Sequence, residues 1–189
     1  MVKKIIITGG LGYIGTELCK IYSGVSWHHK IFVIDNRFIS ERVNQIRNWN
    51  MEFVHGDILN KDLVKKYFKD ADIVHHLAGV TDVPRTKSES TQERDKKIKL
   101  VGENGTQNIL DAISDKCKII FPSTHVIYEG MDKVKNDIKE NEESKPILSY
   151  SLSKAINEKQ LKESGKNYVI LRLGSVYGYS TDTTRIDIM

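Results

Sequence analysis

The chain has 189 residues, 39% of them apolar and 29% charged, with a formal charge of +4; this balance suits one globular domain with its own hydrophobic core. The charge is spread along the chain rather than gathered into a block, which argues against a nucleic-acid or anionic-membrane partner, and no apolar run approaches membrane-spanning length. Cys19 and Cys117 are too few and too far apart for a disulfide framework, and no Cys-x-x-Cys pair suggests zinc, so a reducing cytoplasm is the expected location.

The first apolar run, K-K-I-I-I-T, stops at Thr8, too soon for a signal peptide, and reads as a strand. Gly9, Gly10, Gly12 and Gly15 follow, satisfying both G-x-x-G-x-x-G and G-x-G-x-x-G, before a helix over roughly 13–23. Glycines at this spacing permit a tight turn, the approach of a pyrophosphate and close packing of helix on strand, while the helix N-terminus offers N–H groups to the phosphates. The second strand, K-I-F-V-I-D, ends on Asp35, twenty residues after Gly15. A carboxylate there accepts hydrogen bonds from an adenosine ribose and repels a 2′-phosphate, favouring NAD over NADP. Arg37 stands close enough in sequence to meet such a phosphate instead.

A weak helical pattern near 40–48 precedes a third strand, M-E-F-V-H-G, and a helix over 60–69 precedes a fourth, A-D-I-V-H-H-L-A. A longer helix is expected over 94–114, then a fifth strand, K-I-I-F-P-S, a helix over 150–164, and a sixth strand, Y-V-I-L-R-L. The strands are nearly all apolar rather than alternating, the pattern of a parallel sheet covered by helices on both faces. Alternating strands and helices of this kind predict a doubly wound α/β fold with a parallel sheet of six or more strands. The polar stretches Thr81–Lys97 and Met131–Lys145 follow strand ends and are expected to form loops around the ligand crevice. His28–His29 and His75–His76 look like metal pairs, but adjacent strand residues point to opposite faces, so no metal is expected.

Tyr150 and Lys154 are four residues apart at the start of a predicted helix and therefore share a face. The spacing alone means little, but this is the single Tyr-x-x-x-Lys in the chain and it falls just beyond the fifth strand. A phenol, with a pKa of about 10, becomes a usable base near neutrality when an ammonium beside it favours the phenolate. Ser123 and Thr124, at the end of the fifth strand, offer hydroxyls that either orient a substrate oxygen or bond the local backbone.

Together these residues resemble the extended short-chain dehydrogenase/reductase family, which contains the NAD-dependent sugar-nucleotide epimerases and dehydratases. T-G-G-L-G-Y-I-G resembles its phosphate turn, with Tyr13 and Ile14 at the backbone-contacting positions, and Asp35–Asn36 its ribose contact. G-D-I, with Asp57 and Ile58, is similar to the adenine-side segment, and H-L-A-G-V, with Leu77, Ala78 and Gly79, to the strand end along the cofactor. S-Y-S-L-S-K carries Tyr150 and Lys154, and F-P-S-T-H-V-I-Y places Thr124 at the catalytic hydroxyl position. Gly102 and Ser175 stand where the family often has Asn, and Thr124 is followed by His125 and Val126 rather than the acidic pair of the dehydratases.

The resemblance implies that residues 1–180 form a Rossmann domain binding NAD and that 181–189 begin a missing or truncated substrate domain. It implies a nucleotide-sugar substrate and an epimerase, with a reductase or decarboxylase as alternatives within the family and a nucleotide-binding module without turnover as the alternative outside it. It also implies a homodimer through the helices over 94–114 and 150–164, with Ile98, Val101, Ile109 and Ile156 facing outward unless they simply face the sheet.

Overall fold

A computed structural model describes residues 1–80, 86–133 and 135–178. Its six strands, β1 (Lys4–Thr8), β2 (Lys30–Asp35), β3 (Glu52–His55), β4 (Ile73–His76), β5 (Lys118–Thr124) and β6 (Asn167–Leu173), form one sheet in the order β3-β2-β1-β4-β5-β6. Every pairing is parallel. The crossovers are α1 (Tyr13–Ser23), α2 (Ser40–Asn48), α3 (Lys61–Phe68), α4 (Gln92–Lys99), α5 (Gly105–Ala112) and α6 (Ser149–Glu163). This is a doubly wound fold. Strand order turns back on itself between β1 and β4, and at such a point the diverging loops leave a crevice at the carboxyl ends of the strands.

The sheet separates two cores. Ile6, Ile34, Val74, Ile119 and Phe121 meet α3, α5 and α6 on one face, where Phe68 and Leu161 are fully buried. Ile5, Ile7, Ile31 and Val33 meet α1 and α2 on the other, with Cys19 and Val43. Each fully buried side chain of this size contributes roughly 1.5–3 kcal/mol, so these two layers hold the strand ends that carry the site. The expectation that every strand is covered on both faces fails at β6, an edge strand on which Tyr168 and Leu171 remain substantially exposed.

The helix expected over 94–114 is not continuous. Between α4 and α5 the chain makes a π turn over Leu100–Asn104. The wider turn releases backbone carbonyls from the helical ladder, and α6 uses two of them: Asn157 Nδ2 donates to Gly102 O (3.1 Å) and Gln160 Nε2 to Glu103 O (3.1 Å). A Cβ on Gly102 would stand 2.1 Å from Ser153 Oγ, so Ser153 fills the space a side chain there would take. Of the four apolar residues expected to face either outward or toward the sheet, Ile98 and Ile109 are buried and Val101 packs on the core, whereas Ile156 is exposed, as are Leu152 and Leu100.

The stretch Thr81–Lys97 is shorter as a loop than expected, since α4 already begins at Gln92 and a 3-10 turn covers Lys87–Glu89; residues 81–85 lie outside the described residues. Residues 179–189, which include the expected start of a second domain, also lie outside them. No helix among the described residues is long and apolar enough to cross a membrane.

Candidate active site

The crevice at the switch point is a single cleft of about 840 Å³. The candidates identified from sequence all line it: Gly9, Gly12, Tyr13, Ile14 and Gly15 at one wall, Asp35, Asn36, Asp57 and Ile58 at one end, Leu77 to Gly79 along the floor, and Thr124, Tyr150 and Lys154 at the other end. Loops at the ends of β1 to β6 therefore bring together residues as far apart in sequence as Gly9 and Gly174.

The glycine wall is built too tightly for side chains. Gly9 has φ +65°, and a Cβ on it would come within 2.8 Å of Ala78 N; one on Gly15 would come within 2.3 Å of Gly9 O. Thr8 locks the adjoining floor, its Oγ1 lying 3.2 Å from His76 Nδ1 and accepting from Ala78 N–H (3.0 Å). Helix α1 starts at Tyr13 behind Gly12 at its N-cap, with no side-chain cap and no acid in its first turn, which leaves its N-terminus suited to an anion. At the ribose end Asp35 is buried and accepts from Leu11 N–H (3.0 Å) and Arg37 N–H (3.0 Å). Asp57 accepts from Asn36 Nδ2 (3.0 Å) and Leu59 N–H (2.9 Å). A tight bare turn, an uncapped helix start and an acid twenty residues on together fit the pyrophosphate and ribose of a dinucleotide.

At the opposite end, helix α6 presents Tyr150 and Lys154 on one face. Lys154 Nζ donates to Pro122 O (2.8 Å) and lies 4.4 Å from the centre of the Phe121 ring and 5.8 Å from that of Tyr150. Burial pulls its pKa down to about 8, with the charge of Glu158 acting in the opposite direction. Thr124 Oγ1 accepts from Val126 N–H (3.3 Å), which leaves its own O–H to donate into the cleft it lines. Ser123 also lines the cleft, but its hydroxyl is committed to Glu158 Oε1, to which it donates (2.6 Å). His75 and His76 lie in β4 and divide across the sheet, His75 Nε2 meeting Tyr22 OH (2.8 Å) on one face and His76 Nε2 meeting Thr106 Oγ1 (2.9 Å) on the other, whereas His28 and His29 lie not in a strand but at the 3-10 turn Ser26–His28 that precedes β2.

Two supports of this end were not apparent in the sequence. Glu158, only 3% exposed, accepts from the Ser123 hydroxyl and from both Arg172 Nε (2.9 Å) and Nη2 (2.6 Å), while Arg172 Nη1 also reaches Tyr128 OH and Glu140 O. One carboxylate thus ties α6, β5, β6 and the loop after β5 together behind Thr124 and Lys154. Glu129 caps α6 from outside: its carboxylate accepts from Ile147 N–H (2.8 Å), Leu148 N–H (2.7 Å) and the Ser151 hydroxyl. The Tyr-x-x-x-Lys helix offered a hint of the first, because Glu158 repeats its spacing one turn further on.

Comparison with known proteins agrees with this geometry. The chain is 30% identical over 200 residues to the dTDP-D-glucose 4,6-dehydratase of Dictyostelium discoideum, covering 94% of this chain and 44% of that one. It is 30% identical over 205 residues to the CDP-paratose 2-epimerase of Salmonella typhi, covering 93% and 58%. A variant of the UDP-glucuronic acid 4-epimerase of Bacillus cereus, solved with NAD and UDP-4-deoxy-4-fluoro-glucuronic acid, superposes with a TM-score of 0.80 at 27% identity over 94% of this chain and 58% of that one. The chain thus spans about half the length of the relatives it matches. Residues 5–188 match the profile of the NAD dependent epimerase/dehydratase family, and the chain belongs to that family.

Proposed function

We propose that this chain binds NAD along the cleft and provides the cofactor-holding part of a nucleotide-sugar epimerase that oxidises one sugar hydroxyl and reduces it again. The observation that carries the reading is the meeting of Thr124, Tyr150 and Lys154 in the same cleft as the glycine turn and Asp35. NAD, when bound, supplies a reversible acceptor for hydride. The chain's own residues handle the proton. Tyr150 takes it from the sugar hydroxyl and later returns it, and the Lys154 ammonium, fixed on Pro122 O, favours the phenolate that this requires. The Thr124 hydroxyl donates to the reacting oxygen and holds it against the phenol.

Epimerisation is favoured over dehydration because His125, not a carboxylic acid, follows Thr124, and its Nδ1 is engaged with Leu173 O (3.1 Å). The relatives act on UDP-, dTDP- and CDP-sugars by name, which supports a nucleotide-sugar and leaves its base open. Buried, unpaired Cys19 and Cys117 suit a cytoplasmic protein. Residues 1–180 serve as the dinucleotide domain, and a second copy packs on the outward face of α4 to α6, where Leu100, Leu152 and Ile156 are exposed.

The test is turnover. UDP-hexoses or UDP-hexuronic acids incubated with the protein and catalytic NAD should give the epimer slowly by NMR, as expected of the cofactor-holding part, without net NADH, and Tyr150→Phe should lower this rate by roughly a hundredfold or more while NAD still binds. Near-normal turnover by Tyr150→Phe would overturn the assignment of the base, and NADH accumulating in step with substrate would point to an oxidoreductase.

A further inference from the structure

The ribose end of the cleft contains an ion pair that alters what Asp35 can discriminate. Arg37 Nε lies 3.2 Å from Asp35 Oδ1 and Nη2 3.4 Å from Oδ2, so each carboxylate oxygen receives one backbone N–H and one guanidinium N–H. The Asp35 side chain is 4% exposed and that of Arg37 44%, so the acid is buried while the guanidinium lies on the open side of the pair. Both residues line the cleft, and Arg37 Nη2 stands 3.5 Å from where a Cβ on Gly12 would be, next to the phosphate turn.

A lone buried carboxylate at this position repels a dianionic phosphate ester. Paired with a guanidinium, its charge is neutralised close to the source, and the guanidinium itself matches phosphate oxygens in a planar, bidentate way. If the guanidinium swings toward a phosphate, Asp35 still keeps Leu11 N–H and Arg37 N–H as partners. The other acid facing this end, Asp57, is already engaged with Asn36 and Leu59 N–H.

We propose that Arg37 makes the ribose pocket accept a 2′-phosphorylated dinucleotide, NADP, as well as NAD. The inference rests on the reading of the cleft as a dinucleotide site and assigns Arg37 as the residue that sets cofactor choice. The test is calorimetric titration of the chain with NAD and with NADP at one salt concentration, for the wild type, Arg37→Ala and Arg37→Lys. The wild-type dissociation constants should lie within about tenfold of each other. In Arg37→Ala the NADP-to-NAD ratio should widen by roughly tenfold or more, the worth of a hydrogen bond to a charged group, and Arg37→Lys should fall between. A wild-type ratio of about a hundredfold or more against NADP, or a ratio that Arg37→Ala leaves unmoved, overturns the role of Arg37 while leaving the NAD site standing. Failure of the wild type to bind either dinucleotide brings down both.

Discussion

Replacing Glu158 with alanine tests how the proton-handling end of the cleft is held. The carboxylate is buried, and its removal leaves the Arg172 guanidinium, 18% exposed, without its charged partner and the Ser123 hydroxyl without an acceptor. Removing one member of a buried, hydrogen-bonded ion pair costs about 3–5 kcal/mol, because the remaining charge stays desolvated. With a urea slope near 2 kcal/mol per molar, the denaturation midpoint should drop by about 2 M. Burial alone would raise the Glu158 pKa, but hydrogen bonds from Arg172 and Ser123 and the Arg172 charge outweigh it, and the net shift is downward. A lowered carboxylate pKa means the contribution is complete above the unfolded Glu value and is lost as pH falls through the folded one, so the gap between wild type and Glu158→Ala should close in acid. Lys162→Ala is the control: that side chain is half exposed and 3.4 Å from Glu158, and should cost no more than about 0.5 kcal/mol. A cost below about 1 kcal/mol for Glu158→Ala would refute the reasoning.

Gly15→Ala should destabilise the fold by about 1–3 kcal/mol and weaken NAD binding, because its Cβ would meet the Gly9 and Gly10 backbone at 2.3 and 2.7 Å; urea melts and titrations of the variant check this. Burial, helped by the Lys154 charge, pushes buried His76 down to about 3, so the folded state refuses a proton that the unfolded state takes near 6.5. Stability should therefore be full above that pH and fall by about 1.4 kcal/mol per unit below it, a slope that His76→Gln should reduce by one proton in pH-dependent denaturation. Sedimentation should show a dimer that Leu152→Glu with Ile156→Glu converts to monomer, since both side chains face outward from α6; an unchanged sedimentation coefficient would count against that interface.

Much of the fold was legible because strands buried on both faces must be continuously apolar, as Ile5–Ile7 and Ile31–Ile34 are, and because a pyrophosphate turn needs glycines in fixed places. The residues set around the cleft, from Gly9 to Lys154, were legible for the same reason: local spacing carries their chemistry. The π turn was not, since it is stabilised by Asn157 and Gln160 reaching across from α6, some 55 residues away. The inward direction of Ile98 and Ile109 follows from packing against the sheet and the neighbouring helices, which only the assembled fold decides. The Glu158–Arg172 pair and the Glu129 cap escaped for a related reason. Each joins segments that only the closed sheet brings together, and Glu129 caps a helix that begins 20 residues later.

The central claim, that the glycine turn, Asp35 and the floor from Leu77 to Gly79 form a dinucleotide site, is tested most directly by titrating NAD into the chain in a calorimeter. The geometry predicts saturable binding of one NAD per chain, weakened in Gly15→Ala, whose side chain would intrude on the turn. Absence of any binding heat at millimolar NAD across several temperatures, with the chain folded, would contradict it.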